Sequence, residues 1–329
     1  MRPTTRRPRT EASLLTRLRR HCERVLAALE LPDRFDLADV QARLPAFTGR
    51  PLRVVLAAQT FPAPSGAWLR TASGDVIVID RDASPLHRDH ILAHELAHIL
   101  LGHDQPDGGT TAAILPDLDP AVVHGVLARR CCRDTEEREA ELLASLIMVR
   151  VTSPAEAAAA GAMTDRPLRA YLALQRLRPL WRDFAEPYDD IALERPRRRD
   201  DLLGWRDLDL RLYRRIIEIC DGYRALRRFV IEETAVAAPS GQRRPCIGEH
   251  LLREAVALHR ARLRKASAAS PPVSARTAVS WAAPTPTRES ESGSGLAVEL
   301  ARLVAHARAR RYARAQAACA FCPAPAETC

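Results

Sequence analysis

His94-Glu95-Leu96-Ala97-His98 places two imidazoles four residues apart with a carboxylate between them. On an α-helix positions i and i+4 share a face, so His94 and His98 can direct ring nitrogens at a single Zn²⁺ ion. Glu95 cannot readily be a third ligand from its position on that surface. It can instead take a proton from a water that the metal activates, the role such a glutamate has in metallopeptidases. Ile91, Leu92, Leu96, Ile99 and Leu100 recur at helical spacing, which sets the motif on an amphipathic or buried helix. Two imidazoles and a carboxylate are costly to bury there unless something satisfies them, and a metal ion does so.

A tetrahedral catalytic zinc needs a third protein ligand and one open position. His103 follows Gly102, but its spacing from His98 is wrong for the longer HExxHxxGxxH pattern, and a histidine at a helix end also caps carbonyls. His90 shares the i, i+4 face with His94 and is a further candidate. Downstream, Ala140, Leu143, Ala144 and Ile147 form one apolar face of a second helix, with Glu136 and Glu139 at its border. A carboxylate presented from that helix would complete a His-His-Glu site.

The two segments His94-Glu95-Leu96-Ala97-His98-Ile99-Leu100-Leu101-Gly102-His103 and Arg138-Glu139-Ala140-Glu141-Leu142-Leu143-Ala144 resemble the ImmA/IrrE family of bacterial zinc-peptidase-like proteins, whose pattern is HELxHxLLxH followed by EAxxFAxxLL. The resemblance covers about residues 10 to 150. It implies a zincin-like fold, with His94, His98 and Glu139 as zinc ligands and Glu95 as catalytic base. Leu143 stands where the family usually has Phe, and no Pro follows Met148; both are packing positions.

The elements that must position these residues can be read from the same chain. Glu11 to Leu29 has helical spacing, and Asp36 is a natural N-cap for a second helix ending before Gly49. Leu52–Ala57, Gly66–Arg70 and Val76–Asp80 read as strands between Pro and Gly turns. The last of these comes just before the motif helix and is expected at the sheet edge, where a substrate backbone could add to it. Ser84 or Pro85 opens the motif helix. A polar loop over 104–120 is expected to form a lip of the cleft, and Val122 to Cys132, with His124, reads as a short helix.

After Val151 the pattern becomes helical throughout: Pro167–Phe184, Asp207–Phe229 and His250–Lys265 carry apolar stripes and no strand signal. This half resembles the cytosolic C-terminal helical domain of actinobacterial transporter-like membrane proteins, which are often encoded beside ImmA/IrrE-like proteins. The residues concerned are Leu177-Arg178-Pro179-Leu180-Trp181, Ile191-Ala192-Leu193-Glu194 and Asp207 through Gly222. The resemblance implies a fusion of two neighbouring proteins acting in one pathway.

The expected organisation is an unstructured start over 1–10, a metallopeptidase domain over 11–155, a helical domain over 160–266, a Ser/Pro/Ala-rich linker over 267–295, and an Arg-rich helix and tail over 296–329. The fold class is α+β followed by all-α. A net charge of +9 accompanies abundant arginine, with Lys265 the only lysine, and reflects compositional bias. No helix-turn-helix or zinc-finger pattern supports direct nucleic-acid binding. The absence of an apolar run of eighteen residues excludes an integral membrane segment from the reading, which is of a cytoplasmic protein. Eight scattered cysteines do not form a disulfide framework, and Cys319-Ala320-Phe321-Cys322 is an isolated CxxC. The expected activity is that of a zinc metallopeptidase and transcription regulator whose substrate is a protein, such as a helix-turn-helix repressor. The alternatives are a non-catalytic zinc-binding antirepressor or sensor, and the toxin of a toxin–antitoxin pair.

Overall fold

The computed structural model describes residues 8–57, 65–103, 123–128, 135–159, 166–185, 207–226, 229, 249–266 and 295–320. The loop 104–120, Ile191–Glu194, most of the expected linker, and Cys322 lie outside these residues. The chain divides into two units, Met1–Met163 and Thr164–Cys329.

The first unit is α+β. Helices α1 (Pro8–Ala28) and α2 (Leu37–Thr48) precede strands β1 (Leu52–Ala57), β2 (Gly66–Thr71) and β3 (Gly74–Asp80). Helix α3 (Pro85–Leu101), strand β4 (Val123–Ala128) and helix α4 (Thr135–Ala159) follow. Helix α1 begins at Pro8, inside the stretch expected to lack structure. Helix α2 is closed at both ends by its own sequence. Asp36 and Asp39 exchange two hydrogen bonds of 2.9 Å in a capping box, and Gly49 ends the helix at φ 70°.

The strands form one sheet in the order β1-β3-β2-β4, with β1 parallel to β3 and the other pairings antiparallel. β3 is therefore an interior strand, contrary to its expected place at the edge. The uninterrupted run Val76-Ile77-Val78-Ile79 suits a strand covered on both faces, and pairing with β1 on one side and β2 on the other gives it the interior place. Val122–Cys132, expected as a helix, instead supplies β4 against β2. Valines at 123 and 126 and Gly125 between them are poor helix formers, and pairing with β2 settles the matter. Asp75, buried in β3, accepts from the Trp68 indole and the Arg50 guanidinium, each at 3.2 Å, which compensates its loss of water.

Helices α1 and α3 both pack on α4. As a result α4 is buried almost all round from Ala140 to Met148, and α3 from His90 to Leu100. Leu96, Ile91, Leu143 and Ile147 fill the space between elements, each contributing about 1.5–3 kcal/mol by leaving water.

The second unit consists, among the described residues, of helices α5 (Arg166–Ala185), α6 (Leu208–Leu226), α7 (Glu249–Ala266) and α8 (Gly295–Ala320). α5 pairs with α6 and α7 with α8, and α8 also touches α5 and α6. Gly222 makes the α5–α6 approach possible, since a Cβ there would stand 2.4 Å from the Phe184 ring. No helix among the described residues is long and apolar enough to cross a membrane.

Candidate metal centre

Helix α3 carries the motif with Ser84 as N-cap and Pro85 in its first turn, where a missing N–H costs nothing. His94 and His98 lie on the face turned to α4, both almost fully buried. Their Nε2 atoms stand 3.0 Å apart. The carboxylate that meets them is Glu137, with Oε2 3.4 Å from His94 Nε2 and Oε1 3.7 Å from His98 Nε2. These three buried side chains form a group that could hold a metal ion. Ligands about 2.0–2.2 Å from a tetrahedral ion lie roughly 3.3–3.6 Å from one another, and the observed separations of 3.0, 3.4 and 3.7 Å scatter about that spacing within a few tenths of an ångström.

Glu139, expected as the third ligand, faces elsewhere. Its Oε1 is 2.5 Å from His21 Nδ1 on α1, and its Oε2 is 3.7 Å from His103 Nε2. Two residues along a helix turn the side chain by about 200°, so Glu137 and Glu139 cannot serve the same face. Glu136 is exposed. The residues that sequence reasoning missed are Glu137 and Glu141, themselves spaced i, i+4, the same signal that marked His94 and His98.

Around the three donors the remaining ring nitrogens are engaged. Glu141 accepts from His94 Nδ1 and His90 Nε2, each at 2.8 Å, so His90 supports the site through Glu141. His103 lies 2.9 Å from His98, Nδ1 to Nδ1. Its position follows from local backbone chemistry. Gly102 at φ 68° lets the chain reverse, and the His103 N–H returns to the His98 carbonyl at 3.1 Å while the Gly102 N–H meets Ile99 at 3.1 Å. The sequence Gly102-His103 thus folds His103 back over His98.

Counting protons through these contacts shows what the centre lacks. A neutral imidazole has one N–H and one lone pair. His94 gives its Nδ1 proton to Glu141, which leaves Nε2 bare. His103 turns Nε2 toward the Glu139 carboxylate, which favours an N–H there. Its Nδ1 then accepts from His98, an assignment that puts the His98 lone pair on Nε2. With that assignment the two Nε2 lone pairs and the Glu137 carboxylate face one another, an arrangement that a cation would satisfy. Burial pushes the His98 imidazole down to about 4, against the pull of Glu137, and so keeps it neutral. His103 is also lowered, chiefly by burial.

Glu95 is buried on α3 beneath β2. A Cβ on Gly66 would stand 2.4 Å from Ile91 Cγ2 and 2.7 Å from Glu95 Oε1, so β2 can cross the helix there because residue 66 has no side chain.

The fold and site together define an α+β unit with a buried His-His-Glu group, followed by a helical unit. Residues 165–313, within that second unit, match the sequence model of a family of unknown function (DUF6545). No curated protein and no solved structure matches the chain.

Proposed function

We propose that the first unit is a zinc-dependent metallopeptidase, or a direct relative of one, that acts on a protein such as a helix-turn-helix repressor. The observation that carries this reading is the buried group of His94 and His98 on α3 with Glu137 on α4, Glu95 following His94 on α3. The resemblance of residues 10 to 150 to the ImmA/IrrE family supports the choice of zinc and of a protein substrate. When bound, the ion would polarise a peptide carbonyl and acidify water. Glu95 takes the proton of the attacking water and returns it to the leaving amine. Glu141 holds the His94 ring by accepting from Nδ1, which directs Nε2 toward His98 and Glu137. The buried setting strengthens each of these interactions by excluding solvent.

The test combines metal analysis with cleavage profiling. The purified full chain should carry about one zinc, lost in His98→Ala. Incubated with a proteome-derived peptide mixture, the zinc-loaded protein should generate new termini detected by mass spectrometry. Glu95→Gln should keep zinc and generate none. Equal cleavage by Glu95→Gln would overturn the assigned base. A zinc-loaded wild type that cuts no peptide would favour the non-catalytic antirepressor or sensor.

A further inference from the structure

We propose that His21, on α1, belongs to the metal centre as the outer end of a chain, His21–Glu139–His103–His98, that fixes the tautomer of His98. The inference rests on the metal reading above. The chain runs from the inner donor group to a residue whose side chain is 43% exposed, and it draws on α1, α4 and the end of α3. The links are 2.5 Å from His21 to Glu139, 3.7 Å from Glu139 to His103, and 2.9 Å from His103 to His98.

The direction of the chain is set by its one acceptor-only member. Glu139, as a carboxylate, can only receive: His21 presents an N–H to one oxygen at 2.5 Å, while His103 turns Nε2 toward the other at 3.7 Å, too long for a hydrogen bond but close enough for the negative charge to favour an N–H there. His103 then has only a lone pair left for His98. That arrangement favours His98 as donor from Nδ1, with its Nε2 lone pair turned toward His94 and Glu137. Glu141 imposes the same choice on His94 from the opposite side. His103, Glu139 and His21 are therefore positioning residues, and α1, more than a hundred residues from α4 in sequence, is physically joined to the centre through them. The Cys22 thiol donating to the Glu139 carbonyl at 3.6 Å adds a second tie between the same two helices.

The experiment is a Co²⁺ titration of the full chain, read by visible absorption and by competition with a chromophoric chelator. Outer partners of metal-binding histidines typically change affinity about 10–100-fold, and Glu139→Gln should fall in that range. His103→Leu should weaken binding similarly and alter the Co²⁺ spectrum. His103→Asn offers an amide oxygen in place of the lost acceptor and should recover most of the affinity. Packing alone predicts the opposite order, since Leu suits a buried site better than Asn. His21→Ala should show a smaller loss, about threefold to tenfold. Equal affinities and unchanged spectra across these variants would overturn the proposal while leaving the metal site standing.

A wild type that takes up no Co²⁺ would instead overturn the metal reading. The ¹⁵N ring spectra of the metal-free wild type would then decide the chain without any variant. His98 as the Nδ1–H tautomer supports it, and His98 as the Nε2–H tautomer refutes it.

Discussion

Both units bury a polar cluster between helices, and the two clusters are composed in opposite ways. In the second unit the buried acids meet permanent cations. Arg302 joins Glu254 at 3.2 Å and Glu299 at 2.5 Å, Asp183 is shared by Arg262 and Arg310, and Glu218 takes Arg214 at 2.9 Å together with the Trp181 indole at 2.6 Å. His306 bridges Glu254 and the Tyr223 hydroxyl, at 2.8 and 3.0 Å. In the first unit, the partners described for Glu137 are imidazoles, as are those for Glu141. A cluster closed by guanidinium groups is complete as folded. One built of carboxylates and imidazoles could hold a metal ion. Burial and polarity alone do not mark a functional site; the sign and protonation of what is buried do.

The largest effect is expected from opening the closed cluster. Glu254→Ala leaves Arg302 and His306 buried without a shared acceptor and should cost the second unit about 3–5 kcal/mol, measured by urea unfolding with and without metal. The loss should be the same in both conditions.

In the first unit the corresponding break is in metal uptake. Glu137→Ala should lower affinity by more than 100-fold, beyond the range of an outer partner, as read by chelator competition. Stripping metal from the wild type should destabilise the first unit by about 2.7 kcal/mol where free metal had stood at 100 times its Kd. Hydrogen-exchange mass spectrometry should place that loss in α3 and α4 and leave α5 to α8 unchanged. Equal loosening of both units would erase the contrast between them.

A smaller cost, about 1–3 kcal/mol in thermal unfolding, is expected from Gly222→Ala, which drives a methyl into the Phe184 ring. The smallest effect concerns reactivity. Burial, followed by the nearby Glu139 charge, pushes the Cys22 thiol up to about 12. An ordinary thiol is substantially ionised at pH 9, whereas Cys22 stays protonated, so peptide mapping after alkylation at that pH should find it slow to react in the folded protein and fast in urea.

Much of the framework was legible in the sequence because it rests on local chemistry. Pro85 and Gly102 bracket α3, Asp36 and Gly49 bracket α2, and His94 and His98 share a face by helical geometry alone. The helices of the second unit follow from their apolar stripes; Leu177, Trp181, Tyr213 and Ile216, each at most 4% exposed, are all core. The strand β4 was not legible, since a six-residue stretch with two valines and a glycine becomes a strand only when β2 offers an edge. Nor was the interior position of β3, which depends on which partners flank it.

The choice of carboxylate shows the same division at the level of single atoms. Sequence determined that two histidines would face one way and that a glutamate-rich helix followed. Which glutamate reaches them depends on the rotation of α4 about its own axis. A one-sided apolar stripe would have fixed that rotation, with acids only at its border. Because α4 is covered by α1 as well as α3, its stripe widens to include Leu142 and Leu146, and Glu137 and Glu141 are drawn inside. Packing on two sides turned one pair of carboxylates toward the histidines of α3 and left Glu139 to His21, a decision made between helices and therefore absent from any one of them.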